Sequence, residues 1–331
     1  MNRSACLIFN PVAGQGDPEI ELEEIRAILE PEINLDIYLT TPEVDADQLA
    51  VQAVQSGVEA IIVSGGDGTI SAAAEAVINT NIPLGIISRG TANAFATALD
   101  IPTIISDACK VILQGHTRTV DVADCDNQPM VLLAGIGFEA EAIDRTNREA
   151  KNRFGMMAYI LAGIQELRNL QRFDVEIETE DKIIKTSASA VTVANAAPAT
   201  SFLAQGPSGI IFDDGLLDLT IVAPISKAGA IAATLHLFQT ASTGNPVERD
   251  DIGYLRAKQF KITADPPQKI VVDGEIIGTT PIEIKCIPAG LKVFVPSVAE
   301  EIPTEKLAGL PNLVIETKDT TDTNSKFKIQ N

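Results

Sequence analysis

Little in this sequence supports histidine chemistry. Only two histidines occur in 331 residues, His116 and His236, both in or beside stretches of helical character, so carboxylates must do any acid–base work. Four cysteines, Cys6, Cys109, Cys125 and Cys286, lie far apart with no C-x-x-C spacing, which argues against a disulfide framework or zinc site and leaves buried thiols. No apolar run approaches the ~18 residues of a membrane-spanning helix, and the Ala5 to Phe9 run before Asn10-Pro11 is too short for a secretory h-region. The basic side is thin as well: 25 Lys and Arg face 45 Asp and Glu, a net charge of −20. No basic stripe exists to release counterions from a nucleic acid, and electrostatic docking on anionic lipid is disfavoured. These absences point to a cytoplasmic protein with no nucleic-acid partner and no transmembrane segment, touching membranes at most peripherally.

What is present is ample apolar content, 45% of a chain longer than one hydrophobic core usually organises, so two domains are expected. The first hundred residues alternate strand and helix. Ala5 to Phe9 reads as a buried strand, Asn10 to Gly16 as a turn, and Asp17-Pro18 as the cap and first position of a helix towards Leu29. Leu35 to Leu39 is the next strand, Asp45 opens a helix to about Ser56, and Ala60 to Val63 leads into Gly65-Gly66-Asp67-Gly68-Thr69 and a helix from Ile70 to Ile78. Leu84 to Ile87 then feeds Ser88-Arg89-Gly90-Thr91 and a helix through Leu99. Repeated βα units imply a doubly wound, mostly parallel sheet with helices on both faces, whose ligands bind beyond the carboxyl ends of the strands.

Past about residue 118 the pattern changes to hairpins. Arg118 to Cys125 and Pro129 to Leu133 turn about Asp126-Asn127; Arg172 to Glu178 and Ile183 to Ala194 turn at Glu180-Asp181. Further strand-like runs occur at Leu216 to Val222, Phe260 to Thr263, Lys269 to Val272, Ile282 to Cys286 and Leu291 to Val295. The second domain is therefore β-rich. Phe138 to Leu170 reads as mostly helical, and Met156 to Leu161 within it as core packing or a path for acyl chains. The chain turns polar from about Pro296, and 316–331 reads as a disordered tail.

Five stretches could carry chemistry. The glycine cluster 65–69 ends a strand and opens a helix, where converging N–H groups and the helix dipole suit a phosphate, although a structural turn reads the same way. Asp67 is out of place in plain anion binding; it makes sense beside a cation such as Mg²⁺ or an incoming nucleophile. Asn10 to Gly16 offers a second set of backbone donors, or an ordinary loop, and Gly90-Thr91-Ala92-Asn93 a third, or a simple N-cap. Asp213-Asp214-Gly215-Leu216-Leu217-Asp218 is either an acidic turn or one carboxylate of a hard-cation site. Asp273-Gly274-Glu275 is either a hairpin turn or a carboxylate held to take the proton of an attacking alcohol.

In order, NPVAGQG at 10–16, GGDGT at 65–69, a G-T-x-N turn at 90–93, DDGLLD at 213–218 and VDGE at 272–275 resemble the bacterial lipid kinases of the diacylglycerol kinase catalytic family, related to sphingosine kinases and NAD kinases. The resemblance covers roughly residues 5–296. It implies an α/β nucleotide-binding domain over 1–118 completed by 291–310, a β-sandwich-like lipid-substrate domain over 119–290, and ATP in the cleft between them. It further implies an ATP- and Mg²⁺-dependent kinase acting on a lipid hydroxyl at a membrane surface, most simply diacylglycerol to phosphatidic acid; a homodimer is compatible with it. Carried over residue by residue, Asn10, Pro11, Val12, Ala13, Gly14, Thr41, Gly65, Gly66, Asp67, Gly68, Thr69, Ile70, Ser71, Ala72, Gly90, Thr91 and Asn93 correspond to the ATP-contacting positions. Asp67 resembles the family's essential aspartate, Asp273 and Glu275 supply the proposed base, and Asp214 with the carbonyls of Ile211 and Leu216 resembles a structural Mg²⁺ site. One departure is Ala94, where many members carry aspartate. Two alternatives stand beside this reading, an NAD kinase, whose downstream N-E pair is missing here, and a catalytically silent nucleotide-binding regulator.

Overall fold

The strands β1 (Arg3–Phe9), β2 (Ile33–Leu39), β3 (Ala60–Gly65) and β4 (Leu84–Ser88) pair in parallel in the order β2-β1-β3-β4. β3 and β4 are buried at almost every position, which is why they read as continuous apolar runs and not as alternation. This computed structural model describes residues 3–137, 172–198, 210–223 and 249–297, with the single positions 229, 232, 233 and 236. The expectations for 138–170, for Met156 to Leu161, and for the chain beyond 297 lie outside the described residues.

Helices α1 (Pro18–Leu29), α2 (Ala46–Gln55), α3 (Asp67–Glu75), α4 (Ala94–Ala98) and α5 (Ile105–Gln114) cover the parallel strands. Asp17 caps α1 by accepting from the Glu19 and Ile20 amides, and Asp45 caps α2 through the Ala46 amide. Ile25 and Leu29 of α1, with Cys109 and Ile112 of α5, pack on Leu7, Phe9 and Ile62 at one face. Leu49 and Ala53 of α2, with Ile70 and Ala73 of α3, pack on Ile8, Ile61 and Val63 at the other. The chain leaves β1 outward to β2 and then returns past β1 to β3. The connections therefore diverge at the carboxyl ends of β1 and β3, the place where a doubly wound sheet opens a ligand crevice.

The strands in the rest of the described chain pair with one another antiparallel. They are β5 (Thr117–Cys125), β6 (Gln128–Met130), β7 (Leu133–Gly137), β8 (Phe173–Glu178), β9 (Ile183–Ala188), β10 (Ala190–Ala194), β11 (Leu217–Val222), β12 (Ile252–Ala257), β13 (Gln259–Asp265), β14 (Lys269–Val272), β15 (Glu275–Thr279) and β16 (Ile282–Phe294). One set extends the first sheet as β16-β13-β8-β9, with β5 paired to β16 and β6 to β5; the other forms a second sheet, β12-β11-β10-β7-β14-β15. Val175, Ile177, Phe260 and Ile262 from the first meet Ile136, Val191, Val193 and Leu219 from the second in one buried cluster. The expected α/β half followed by a β-sandwich-like half is what the chain forms.

β16 joins the halves. Its start pairs antiparallel with β13, Phe260 opposite Ile284, and its end lies parallel to β4, Val293 beside Leu84. Along β5 the register shifts between Ile287 and Leu291. Buried Asp121 pins this shift, accepting from the Ala289 amide and, with its other oxygen, from the Gly215 amide, each at 2.7 Å. The Pro288-Ala289-Gly290 stretch, which separates two strands in the sequence reading, is a bulge inside one strand. Conversely, 183–194 is two strands. At Ser189, whose amide donates to the Val222 carbonyl at 2.8 Å, the chain steps from the edge of the first sheet into the second, and no glycine or proline marks the step. α5, β12 and β15 are further elements without a counterpart in that reading, and the last is a mostly exposed edge strand with no clear alternation.

Candidate active site

Three turns meet at the carboxyl end of the parallel strands. In the first, the Asn10 amide donates to the Ser64 carbonyl at 2.9 Å, its side-chain Oδ1 accepts from Val12, and its Nδ2 donates to Thr69 Oγ1 at 2.9 Å. One asparagine thus fixes the first turn against the second. Gly14 follows with φ of 88°, a conformation that costs a glycine little. Thr41 lies just past β2, and Thr40 is tied to the end of β1 through the Phe9 carbonyl.

In the second turn, Gly66 is the N-cap of α3 and no side chain satisfies the helix start, which leaves its N–H groups and the positive end of the dipole for an anion. Gly65 packs so tightly on Thr69 that a Cβ would sit 2.7 Å from that residue's own Cβ. In the third turn, a Cβ on Gly90 would lie 2.8 Å from Gly66 Cα, so the two glycine turns touch through their backbones. Asn93 Oδ1 accepts from the Gly90 amide at 2.8 Å, and Asn93 itself takes a left-handed φ of 48°. Thr91 beside it is exposed.

Asp67 occupies the first position of α3 and points across to the third turn, where its Oδ1 accepts from the Phe95 amide at 3.3 Å. Burial pushes its carboxyl above the usual range, and the amides of Phe95, Ala94 and Asn93 pull it back. This carboxylate therefore organises the third turn. Ile70 is buried in the core, while Ser71 and Ala72 lie along the same helix at intermediate exposure.

The other half supplies Asp273. It sits between β14 and β15 with φ of 48°, followed by Gly274 at 92°, the paired positive angles of a tight hairpin turn. Its Oδ1 accepts from the Leu132 and Leu133 amides at 2.9 and 3.0 Å, and its Oδ2 from the Val131 amide at 2.8 Å and from Ser71 Oγ at 3.3 Å. Burial nonetheless raises this carboxyl to about 6. Glu275, two residues on, is exposed at the start of β15. Asp67 and Asp273 are thus linked through one helix: Ser71, one turn after Asp67, touches the second carboxylate.

The acidic turn at 213–218 behaves differently. Asp213 pairs with Arg118 at 2.6 Å. Asp214 accepts from the Leu216 amide with one oxygen and from Arg256 with the other, at 3.2 and 2.6 Å. Arg256 also reaches buried Asp218 at 3.0 Å, and Tyr254 donates to the same carboxylate. The oxygen donors of Ile211, Asp214 and Leu216 are of the kind a hard cation takes, but a resident Mg²⁺ there would have to displace a guanidinium. As arranged, these residues do not fit one. Among the described residues no cluster of three or more His, Cys, Asp and Glu could hold a metal ion.

Arg89 is the site residue that motif reading passes over. It stands between the end of β4 and the third turn, and only its placement after a strand and before Gly90 hinted at it.

Glycine turns at the switch point of a parallel sheet, approached by a carboxylate corner of the antiparallel half, are an arrangement suited to phosphoryl transfer. Residues 4–125 match the family model described as the diacylglycerol kinase catalytic domain, and residues 133–295 match that of the YegS C-terminal NAD kinase beta sandwich-like domain. An uncharacterized protein of Synechocystis sp. is 49% identical over 305 residues, covering 89% of this chain and 70% of that protein. A Xanthomonas oryzae protein named "Probable lipid kinase YegS-like" is 30% identical over 302 residues, covering 88% and 96%. A crystal structure of a diacylglycerol kinase from Bacillus anthracis superposes with a TM-score of 0.71 at 25% identity, covering 89% of this chain and 97% of that one. The chain belongs to the diacylglycerol kinase catalytic family, and it is a lipid kinase. Among the described residues no helix is long and apolar enough to cross a membrane.

Proposed function

We propose that this kinase transfers the γ-phosphoryl group of Mg·ATP to a lipid hydroxyl, diacylglycerol being the acceptor and phosphatidic acid the product. The observation that carries the proposal is the 3.3 Å contact between Ser71 Oγ and Asp273 Oδ2. It brings a carboxylate corner of the second sheet onto the helix that the GGDGT turn opens. On this reading the halves divide near residue 118, with the end of β16 belonging to the nucleotide half, and the kinase works in the cytoplasm at the membrane periphery.

The triphosphate lies over the amides of the first turn and of α3, where the dipole favours negative charge. Asn10 to Gly14, Gly65 to Ala72, Gly90, Thr91 and Asn93 line it, and Thr41 lies towards the nucleoside. Mg²⁺ arrives as part of the substrate, and Asp67 faces it. Asp273 has both oxygens engaged by four donors, so its role is to hold the corner. Glu275, exposed beside it, takes the proton of the lipid hydroxyl as that oxygen bonds to Pγ and the Pγ–O bond to ADP breaks. Catalysis is positioning and charge neutralisation.

The test is incubation of the full chain with labelled ATP, Mg²⁺ and a total lipid extract, with NAD offered in parallel, and identification of the product by mass. Labelled phosphatidic acid supports the reading. Labelled NADP, or nucleotide binding with no labelled lipid, refutes it.

A further inference from the structure

An arginine at an anion site is ordinarily read as a phosphate ligand. Arg89 is not free to be one. Its side chain is only 2% exposed. Nε donates to Glu21 Oε2 at 2.6 Å, Nη1 to the Asn10 carbonyl and Nη2 to the Ala13 carbonyl, each at 2.9 Å. Nη2 also pairs with Glu21, and the guanidinium carbon lies 4.2 Å from the centroid of the Phe9 ring. Four of the five N–H groups of the fork are engaged by protein.

From this geometry we infer that Arg89, held by Glu21, is the positioning residue that shapes the first glycine turn for the triphosphate, an inference that rests on the nucleotide site proposed above. In a trans peptide the carbonyl and the next N–H point opposite ways. Drawing the Ala13 carbonyl onto the guanidinium therefore turns the Gly14 amide away from it, towards the open side of the turn. The same residue fixes the other two turns. Its amide donates to the Gly65 carbonyl at 2.7 Å, its successor Gly90 packs on Gly66, and a Cβ on Gly14 would sit 3.3 Å from its carbonyl oxygen. Lysine keeps the charge but has no planar fork able to hold two carbonyls and a carboxylate together.

The experiment measures Mg·ATP binding without lipid, steady-state KM for each substrate, and melting temperature for wild type, Arg89→Lys and Glu21→Gln. Arg89→Lys should weaken Mg·ATP binding about tenfold or more, the loss of a well-placed charge-assisted contact set, and leave the lipid KM within about twofold. Glu21→Gln, which takes away the charge that holds the fork and leaves the fork itself intact, should weaken binding severalfold in the same direction. If Arg89→Lys does not fold, Glu21→Gln alone decides. Nucleotide binding unchanged in the folded variants, or KM values for both substrates rising in parallel with a fall in melting temperature, overturns the inference. Wild type that binds Mg·ATP but phosphorylates no lipid sinks the kinase reading and leaves this one standing; wild type that binds no Mg·ATP sinks both.

Discussion

Ser71 and Asp273 lie 202 positions apart in sequence and meet at 3.3 Å. Ser71 belongs to the helix that begins with Asp67, and Asp273 to the hairpin that presents Glu275. The same carboxylate gathers three consecutive amides at 131–133, where the chain leaves β6 for the second sheet. Ser71→Ala removes one long bond to a charged acceptor and should cost about 1 kcal/mol of stability, with a larger, severalfold loss of turnover because the corner is no longer tied to the helix. Asp273→Ala orphans three amides and should destabilise far more, at about 1–3 kcal/mol for each. Chemical denaturation alongside kinetics tests both; a Ser71→Ala enzyme with normal turnover argues against the tie.

Acidity should act on Asp273 in a defined window. Its carboxyl titrates near 6 in the folded protein and near 3.9 when unfolded, so between those values the folded state binds more protons. Stability therefore falls as pH rises through that window and levels off above about 6. Asp273→Asn should remove that slope, visible as a pH-insensitive contribution in denaturation midpoints between about pH 4 and 6. Turnover should run the other way, dropping as pH falls below about 6, because a protonated Asp273 grips the 131–133 amides less well. A wild-type profile whose Asp273-dependent part rises with pH contradicts the assignment.

The parallel half was legible because each element carries its own punctuation. Asp17-Pro18 and Asp45 mark helix starts, and glycine clusters mark the turns. The crevice followed from the βα order, since the reversal between β1 and β3 depends on connectivity alone. The β half was less legible for the opposite reason. The step at Ser189 carries no breaker, while Pro288 to Gly290 looks like a break yet is a bulge held by Asp121 from across the sheet. Long-range partners decide both, and local sequence cannot report them. The roles divide likewise. Asp67 and Asp273 stood out as carboxylates beside glycine, but that Asp273 is saturated, and that Arg89 serves the turn and not the phosphate, depends on residues far away in sequence.

Asp67 holds the start of α4 and, on the function proposed above, also faces the nucleotide's cation, so its variants should separate the two tasks. Asp67→Ala removes the acceptor for the Phe95 amide at the start of α4, a loss comparable to an N-cap and worth about 1 kcal/mol. The fold should therefore survive with a melting point lowered by a few degrees. Transfer to lipid should fall by at least about 10²–10³-fold, as when one preorganised electrostatic group is withdrawn. Asp67→Asn keeps the size of the group and should melt close to wild type while remaining as inactive. Activity in either variant within about tenfold of wild type contradicts the role given to this carboxylate.

Arg256 occupies the carboxylates of the acidic turn, so removing metal should leave stability untouched and removing Arg256 should lower it. The guanidinium lies 2.6 Å from Asp214 and 3.0 Å from Asp218, whose side chain is fully buried. Burial raises the Asp218 carboxyl, while Tyr254 and Arg256 pull it back towards ionisation. On the function proposed above, in which Mg²⁺ accompanies the nucleotide, exhaustive chelation of the wild-type chain should stop phosphoryl transfer and leave the melting temperature unchanged. Arg256→Gln leaves buried Asp218 with Tyr254 as its remaining side-chain partner and should cost about 1–3 kcal/mol, the order expected when a buried charged acceptor loses one partner. In that variant Asp214 is released, and millimolar Mg²⁺ should recover part of the lost melting temperature. A wild-type melting temperature that falls on chelation and returns with Mg²⁺ would show that a cation, and not Arg256, neutralises this turn.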